Sequence, residues 1–245
     1  DITDLKNVNT LADFDKTGTR ELLASDYIYQ IKRMAHPRIH SPIVGLMEKY
    51  ILGLDEFSVT LKNIFKTKSD KEFLNLNDYT LAGAKLIDKY TFEIVLKEKY
   101  PQFLYWLSMS FFSPMPWEAD LFYSQEGLAE KNISLDWYPI GTGPFMLTEN
   151  NPNRRMVLER NPNFRGELFP ITGEDTDINM GLLEDAGKEM PFIDKAIYSL
   201  EKESIPAWNK FLQGYYDTSG IVSDSFDQAV QFSAQGDAQL TEEMP

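Results

Sequence analysis

The sequence predicts a mixed α/β chain of the α+β type, with helices and hairpin strands interleaved. Three observations predict it. Tyr27, Ile28, Ile31, Met34 and Ala35 recur at helical spacing until Pro37 interrupts them. Two stretches of strand chemistry, 84–87 with 91–96 and 143–148 with 155–159, are each folded back by a polar turn. A further helical pattern follows at 204–216, with Pro206 in its first turn where proline is tolerated.

Residues 1–24 are polar and weakly periodic. The first helix is expected from Ser25, with Ser25 as its cap and Asp26 placed where the helix dipole favours a carboxylate. A second helix is expected over 42–50, ending before Gly53. The stretch 62–78 is rich in Lys and Asn and reads as a surface excursion. Asp88-Lys89 turns the first hairpin, on which Phe92, Ile94 and Leu96 share a face. A short helix at 103–109 leads to the turn Pro114-Met115-Pro116. Of the aromatic residues there (Phe103, Tyr105, Trp106, Phe111, Phe112 and Trp117), each is expected in a core rather than a cleft. Asn150-Asn151-Pro152-Asn153 turns the second hairpin. The segment 167–189 carries seven acidic residues against one lysine. It is long for a loop in a compact domain, which predicts a functional, disordered or inserted segment. A strand is expected over 193–200, Ser204 as the cap of the last helix, and weak order after Gly220.

Composition narrows the function. The 245 residues are 42% hydrophobic and 13% aromatic, enough for a buried core. A net charge of −14 disfavours nucleic acid and anionic membrane surfaces, which recruit clustered Lys and Arg. The absence of cysteine excludes disulfides, thiolate metal sites and cysteine nucleophiles. No run approaches the ~18 apolar residues of a membrane helix. A start at Asp1 and an end in Glu242-Glu243-Met244-Pro245 lead us to expect a piece of a longer polypeptide.

The catalytic and metal motifs fail on geometry. His36 and His40 have the i, i+4 spacing of a helical zinc pair, but Pro37 lies between them, so solvated loop histidines are expected. Asp175, Asp177 and Asn179 open like a calcium loop. Met180 stands where that loop needs its glycine, and Ala186 where it needs its bidentate glutamate. Gly141-x-Gly143 could begin a dinucleotide fingerprint, yet Met146 replaces its third glycine and Pro144 blocks the helix that would hold the pyrophosphate. With no positioned nucleophile, base or metal set, we expect no enzyme, no cofactor and no metal. What remains is Pro139-Ile140-Gly141-Thr142-Gly143-Pro144-Phe145, a turn suited to presenting main-chain groups.

Four blocks carry a resemblance. Residues 24–37 (Ala-Ser-Asp-Tyr-Ile-Tyr-Gln-Ile-Lys-Arg-Met-Ala-His-Pro) resemble a helix of the bacterial extracellular solute-binding proteins of family 5. Leu23 stands where that helix usually has a capping Thr. Gly141-Thr142-Gly143-Pro144-Phe145 is similar to the family's Gly-Thr-Gly-Pro-Phe turn, and Val157-Leu158-Glu159-Arg160-Asn161-Pro162-Asn163-Phe164 to its Val-Leu-x-Arg-Asn-Pro-x-Tyr strand end. Pro191-Phe192-Ile193-Asp194-Lys195-Ala196-Ile197-Tyr198 resembles a later strand of the same family.

The resemblance implies a periplasmic binding protein-like clamshell lobe with part of an extra domain. It assigns 1–80 to the extra domain, 81–200 to lobe one and 201–245 to the start of lobe two. It implies a periplasmic or extracellular binding component of an ABC importer, lipid-anchored in some settings, with a peptide ligand and a membrane permease as partners. Thr142 and Gly143 become candidates to contact ligand main chain, with Phe164 at the position of the family's Tyr and Ser41 approaching the cleft from the extra domain. The acidic residue that receives a peptide amino terminus in relatives would lie beyond Pro245, and the acidic 167–189 segment is outside the common pattern. Two rivals stay open: a carboxylate-dependent hydrolase, and a signalling or structural module on the same fold.

Overall fold

The computed structural model describes residues 19–67, 73–241 and 244. The chain forms two compact units, Asp1–Tyr138 and Pro139–Pro245. Their border coincides with neither 80 nor 200, because residues 81–138 pack with the N-terminal unit.

In that unit, helix α1 (Ala24–Met34) buries Ile28, Tyr29, Ile31 and Met34. Ser25 is not its cap: it lies inside the helix. Leu23 occupies the cap position and has no side-chain acceptor, so Asp26 reaches back to accept the Leu23 N–H at 2.9 Å. Helix α2 (Val44–Tyr50) is followed by α3 (Leu54–Thr67). The second of these corrects the reading of 62–78 as a surface excursion over 62–67, while 68–72 lie outside the described residues. Leu54, Phe57, Leu61 and Ile64 follow a helical period and face the core, while the Lys and Glu residues between them face water.

Strands β1 (Ala84–Leu86) and β2 (Phe92–Ile94) pair antiparallel with Lys85 opposite Glu93. Leu52 N–H donates to Val95 O and Val95 N–H to Gly83 O, both at 2.9 Å, which draws three segments together. Gly83 is required there: a Cβ would stand 2.4 Å from the Leu52 carbonyl oxygen. Helices α4 (Phe103–Leu107) and α5 (Trp117–Tyr123) complete the unit. Phe103 and Phe112 join the core and Trp106, Phe111 and Trp117 pack on it, but Tyr105 is exposed, contrary to expectation.

The C-terminal unit begins with the expected hairpin, β3 (Phe145–Asn151) and β4 (Arg155–Arg160), with a bulge at Thr148. The segment 167–189 is not one continuous loop. β5 (Glu167–Leu168) pairs with β6 (Glu189–Met190), and the short helix α6 (Asp175–Asn179) lies between them. Strand β7 (Lys195–Ser199) then adds beside β4, giving a three-stranded antiparallel sheet in the order β3-β4-β7. Helix α7 (Ser204–Leu212) starts after Glu203, so Ser204 is its first residue rather than its cap, and its hydroxyl meets Asp224 at 3.2 Å. Gly214, with φ 77°, ends it four residues before the expected limit. After Gly220 the structure holds helix α8 (Phe226–Ala229) and the hairpin β8 (Val230–Phe232) with β9 (Ala238–Leu240), where weak order was expected. Ser233 accounts for this: its main chain and hydroxyl bond Asp237 across a turn that Gly236 makes with φ 90°. Among the described residues no helix is long and apolar enough to cross a membrane.

Candidate functional site

The Gly-Thr-Gly turn leads directly into β3, and Gly141, Thr142 and Gly143 are exposed. Neither glycine adopts a positive φ, and a Cβ at either position would meet nothing within 4 Å. The glycines therefore leave the peptide groups uncovered; they do not relieve strain. What holds the turn is Asn161, a residue not chosen as a site candidate. Its side chain is buried, and its Nδ2 donates to Gly143 O at 2.9 Å while its Oδ1 accepts the Asn163 N–H at 3.0 Å. Its own N–H donates to Pro144 O at 2.8 Å. One asparagine thus clamps the 141–144 turn to the 161–164 turn. Its signal was present in the sequence: Asn before Pro-Asn is an Asx-turn pattern.

Phe164 follows from the same clamp, since its N–H donates to Asn161 O at 3.1 Å. The ring is half-buried and the Arg165 guanidinium lies 5.6 Å from its centroid. Thr142, Gly143 and Phe164 are thereby held in one neighbourhood. Ser41 belongs to the N-terminal unit, just ahead of α2, where it is half-buried and its carbonyl accepts the Val44 N–H. Behind the clamp, Arg160 donates to Pro191 O at 2.7 Å and pairs with Asp194 at 3.2 Å, which ties the end of β4 to the segment entering β7.

On the face of the β3-β4-β7 sheet, a shallow recess is lined by Thr148, Val157 and Ile197 between two ion pairs. Arg155 holds Glu149 at 2.8 Å and Lys195 holds Glu159 at 2.6 Å. The Arg155 guanidinium keeps the Glu149 carboxyl below the usual range. Glu21, Asp55, Asp88 and Glu201 are also pulled down, by Lys89, Lys97, the Tyr90 backbone N–H and Lys210 in turn.

The histidine pair dissolves in the structure. His36 lies beyond the end of α1, its ring edge-on to Phe65 at 5.8 Å and its Nδ1 accepting the Arg38 N–H. It is half-buried rather than freely solvated, and that burial lowers its pKa. Asp175, Asp177 and Asn179 sit in helix α6, and the Asp177 carboxylate is occupied by the Glu174 N–H at 2.9 Å. Among the described residues no group of three or more His, Asp or Glu side chains is arranged to hold a metal ion.

The family described as "Bacterial extracellular solute-binding proteins, family 5 Middle" matches residues 17–242. The chain belongs to this family. It is 26% identical over 196 residues to the periplasmic oligopeptide-binding protein OppA of Escherichia coli K12, covering 75% of this chain and 32% of that one. Its backbone is similar to a solved periplasmic oligopeptide-binding protein of Borrelia burgdorferi, with TM-score 0.55, 22% identity and coverage of 80% of this chain and 31% of that one. It is also similar to Haemophilus influenzae OppA solved with the peptide RPPGFSPFR, with TM-score 0.55, 15% identity and coverage of 85% and 33%. These neighbours share the fold. The family 5 chain spans about a third of the length of the relatives it matches.

Proposed function

We propose that this chain is part of the substrate-binding component of a bacterial ABC importer, which holds di- or oligopeptides in a cleft between two lobes, delivers them to a membrane permease and catalyses no reaction. The observation that carries this reading is the exposed 141–143 main chain, clamped from behind by the buried Asn161 side chain. An extended peptide offers unpaired N–H and C=O groups. A protein that meets them with its own backbone binds without reading side chains. A clamped turn has less freedom left to lose on binding. Thr142 and Gly143 are the main-chain contacts in this reading, with Phe164 as an apolar neighbour; Ser41 is a separate candidate within the N-terminal unit. Lobe closure then buries the peptide and presents a closed form to the permease.

The family relationship and the peptide-binding names of its relatives support this assignment, and they support a periplasmic or extracellular location for the whole protein. We infer that the chain divides between Tyr138 and Pro139 rather than at 80 and 200, with 1–138 and 139–245 as its two units. Native mass spectrometry of the intact protein tests the function. Co-purifying peptides, displaced by added peptide in calorimetry, are expected. An empty protein that ignores a peptide library would overturn the reading.

A further inference from the structure

We propose that Arg165 reads a carboxylate of the ligand, so that the site around Thr142 and Gly143 favours acidic peptides over neutral ones of the same length. The inference rests on the importer reading above and names the ligand chemistry of that same site.

Arg165 follows Phe164, and its guanidinium lies 5.6 Å from the centroid of that ring. Phe164 is fastened through its N–H to Asn161 O, and Asn161 is fastened to Gly143 O and Pro144 O. The cation therefore stands one residue past the turn that is tied to the exposed 141–143 main chain. Carboxylates of the chain's own are at hand. Glu167 lies two residues on, and a Cβ on Gly166 would stand 3.1 Å from Glu189 Oε1. Arg165 takes neither of them, and among the described residues it pairs with no carboxylate.

Its neighbours behave differently. Arg155 holds Glu149, Arg160 holds Asp194 and Lys195 holds Glu159. Arg154 has no such pair, but it lies in the hairpin turn at the opposite end of β3 and β4, where its charge helps to hold the Glu149 carboxyl down. In a chain of net charge −14, an arginine at the display that declines the carboxylates beside it keeps its donors for an anion brought from outside. The Phe164 ring covers part of the guanidinium and limits its motion, while the planar fork leaves donors at its edge. A carboxylate matches that fork with two parallel hydrogen bonds. A peptide can bring one from an Asp or Glu side chain or from its carboxyl terminus.

Calorimetry on the intact protein tests this with alanine pentapeptides carrying one Glu at each position in turn, the matching Gln peptides, and both sets with an amidated carboxyl terminus. Either one Glu position binds about tenfold more tightly than its Gln counterpart, or amidation weakens every peptide by about that factor. The first outcome makes the carboxylate a side chain and the second makes it the terminus. Arg165→Gln is expected to abolish that difference while leaving peptides without the carboxylate unaffected, and Arg165→Lys to restore part of it. Arg154→Gln is the control and should change neither. Equal binding of acidic, neutral and amidated peptides by the wild type would overturn the proposal. A loss in Arg165→Gln that is the same for every peptide would show a structural role and overturn it too. So would a thermal midpoint several degrees lower in ligand-free Arg165→Gln, which would reveal a partner carboxylate in the protein's own chain. All three leave the importer reading standing, because peptides still bind; a wild type that binds none of them removes that reading and this one with it.

Discussion

Replacing Asn161 with alanine separates the clamp from the turn it holds. Two side-chain hydrogen bonds disappear, to Gly143 O at 2.9 Å and from Asn163 N–H at 3.0 Å, while the Asn161 main-chain bond to Pro144 O remains. Each such bond contributes about 1 kcal/mol net. Gly143 and Asn163 are exposed, so water takes over their freed groups and the larger penalty of buried unpaired atoms does not apply. The expected loss is therefore about 1–2 kcal/mol in urea unfolding, read as a lower midpoint at constant slope. Asn161→Asp keeps the acceptor for Asn163 but turns a carboxylate oxygen toward the Gly143 carbonyl, and it should cost at least as much. The same looseness should weaken peptide binding to the intact protein by about five- to tenfold, because the turn must then be ordered on binding. Gly143→Ala is the control. No atom lies within 4 Å of the new methyl and no positive φ is demanded, so stability should hold within about 0.5 kcal/mol while peptide affinity falls. Asn161→Ala with stability within about 0.3 kcal/mol of wild type and unchanged affinity would refute the argument that this side chain holds the turn.

Three further outcomes follow from the N-terminal unit. Gly83→Ala drives a methyl to 2.4 Å from the Leu52 carbonyl oxygen, which is backbone and cannot swing aside, so a loss of about 3 kcal/mol or more is expected in chemical unfolding. Asp26→Ala removes the cap of α1 and the partner of Arg20, whose guanidinium meets both carboxylate oxygens; about 2–3 kcal/mol is expected, and calorimetry should show a lower midpoint. His36 has its pKa lowered first by burial, with Arg33 and Arg38 adding to that and Asp120 opposing it. Its neutral form is the one the fold favours, so stability present above pH 6.5, the ordinary histidine value, is lost as pH falls toward the folded pKa. His36→Gln should flatten that part of the curve, measured as urea midpoints at pH 7 and pH 5.

Legibility of the fold from sequence depended on how local the cause was. Helix α1, the hairpins at 84–96 and 143–159 and the turn at 141–145 were readable because period, proline and turn chemistry act within a few residues. Helix α3 was missed although Leu54, Phe57, Leu61 and Ile64 announce it, since the lysines and asparagines around them dominated the reading. The caps at Ser25 and Ser204 failed for a different reason. A hydroxyl can cap from one position only, and the chain entering each helix placed Leu23 and Glu203 there instead.

The candidate site divides in the same way. From sequence alone the 141–145 segment reads as a main-chain display, because the catalytic and metal motifs fail on which residues are present and how they are spaced. Sequence also determined the family, through four blocks in order. Only the tertiary structure decided that Asn161 is what holds the display. The bond from its side chain to Gly143 spans eighteen residues and exists only once β3 and β4 have paired. Only the tertiary structure closed the neck of the acidic 167–189 segment and placed helix α6 within it. Composition records how many carboxylates and apolar side chains such a segment holds. Which of them face water is settled by the pairing of Glu167–Leu168 with Glu189–Met190, a contact between residues some twenty positions apart.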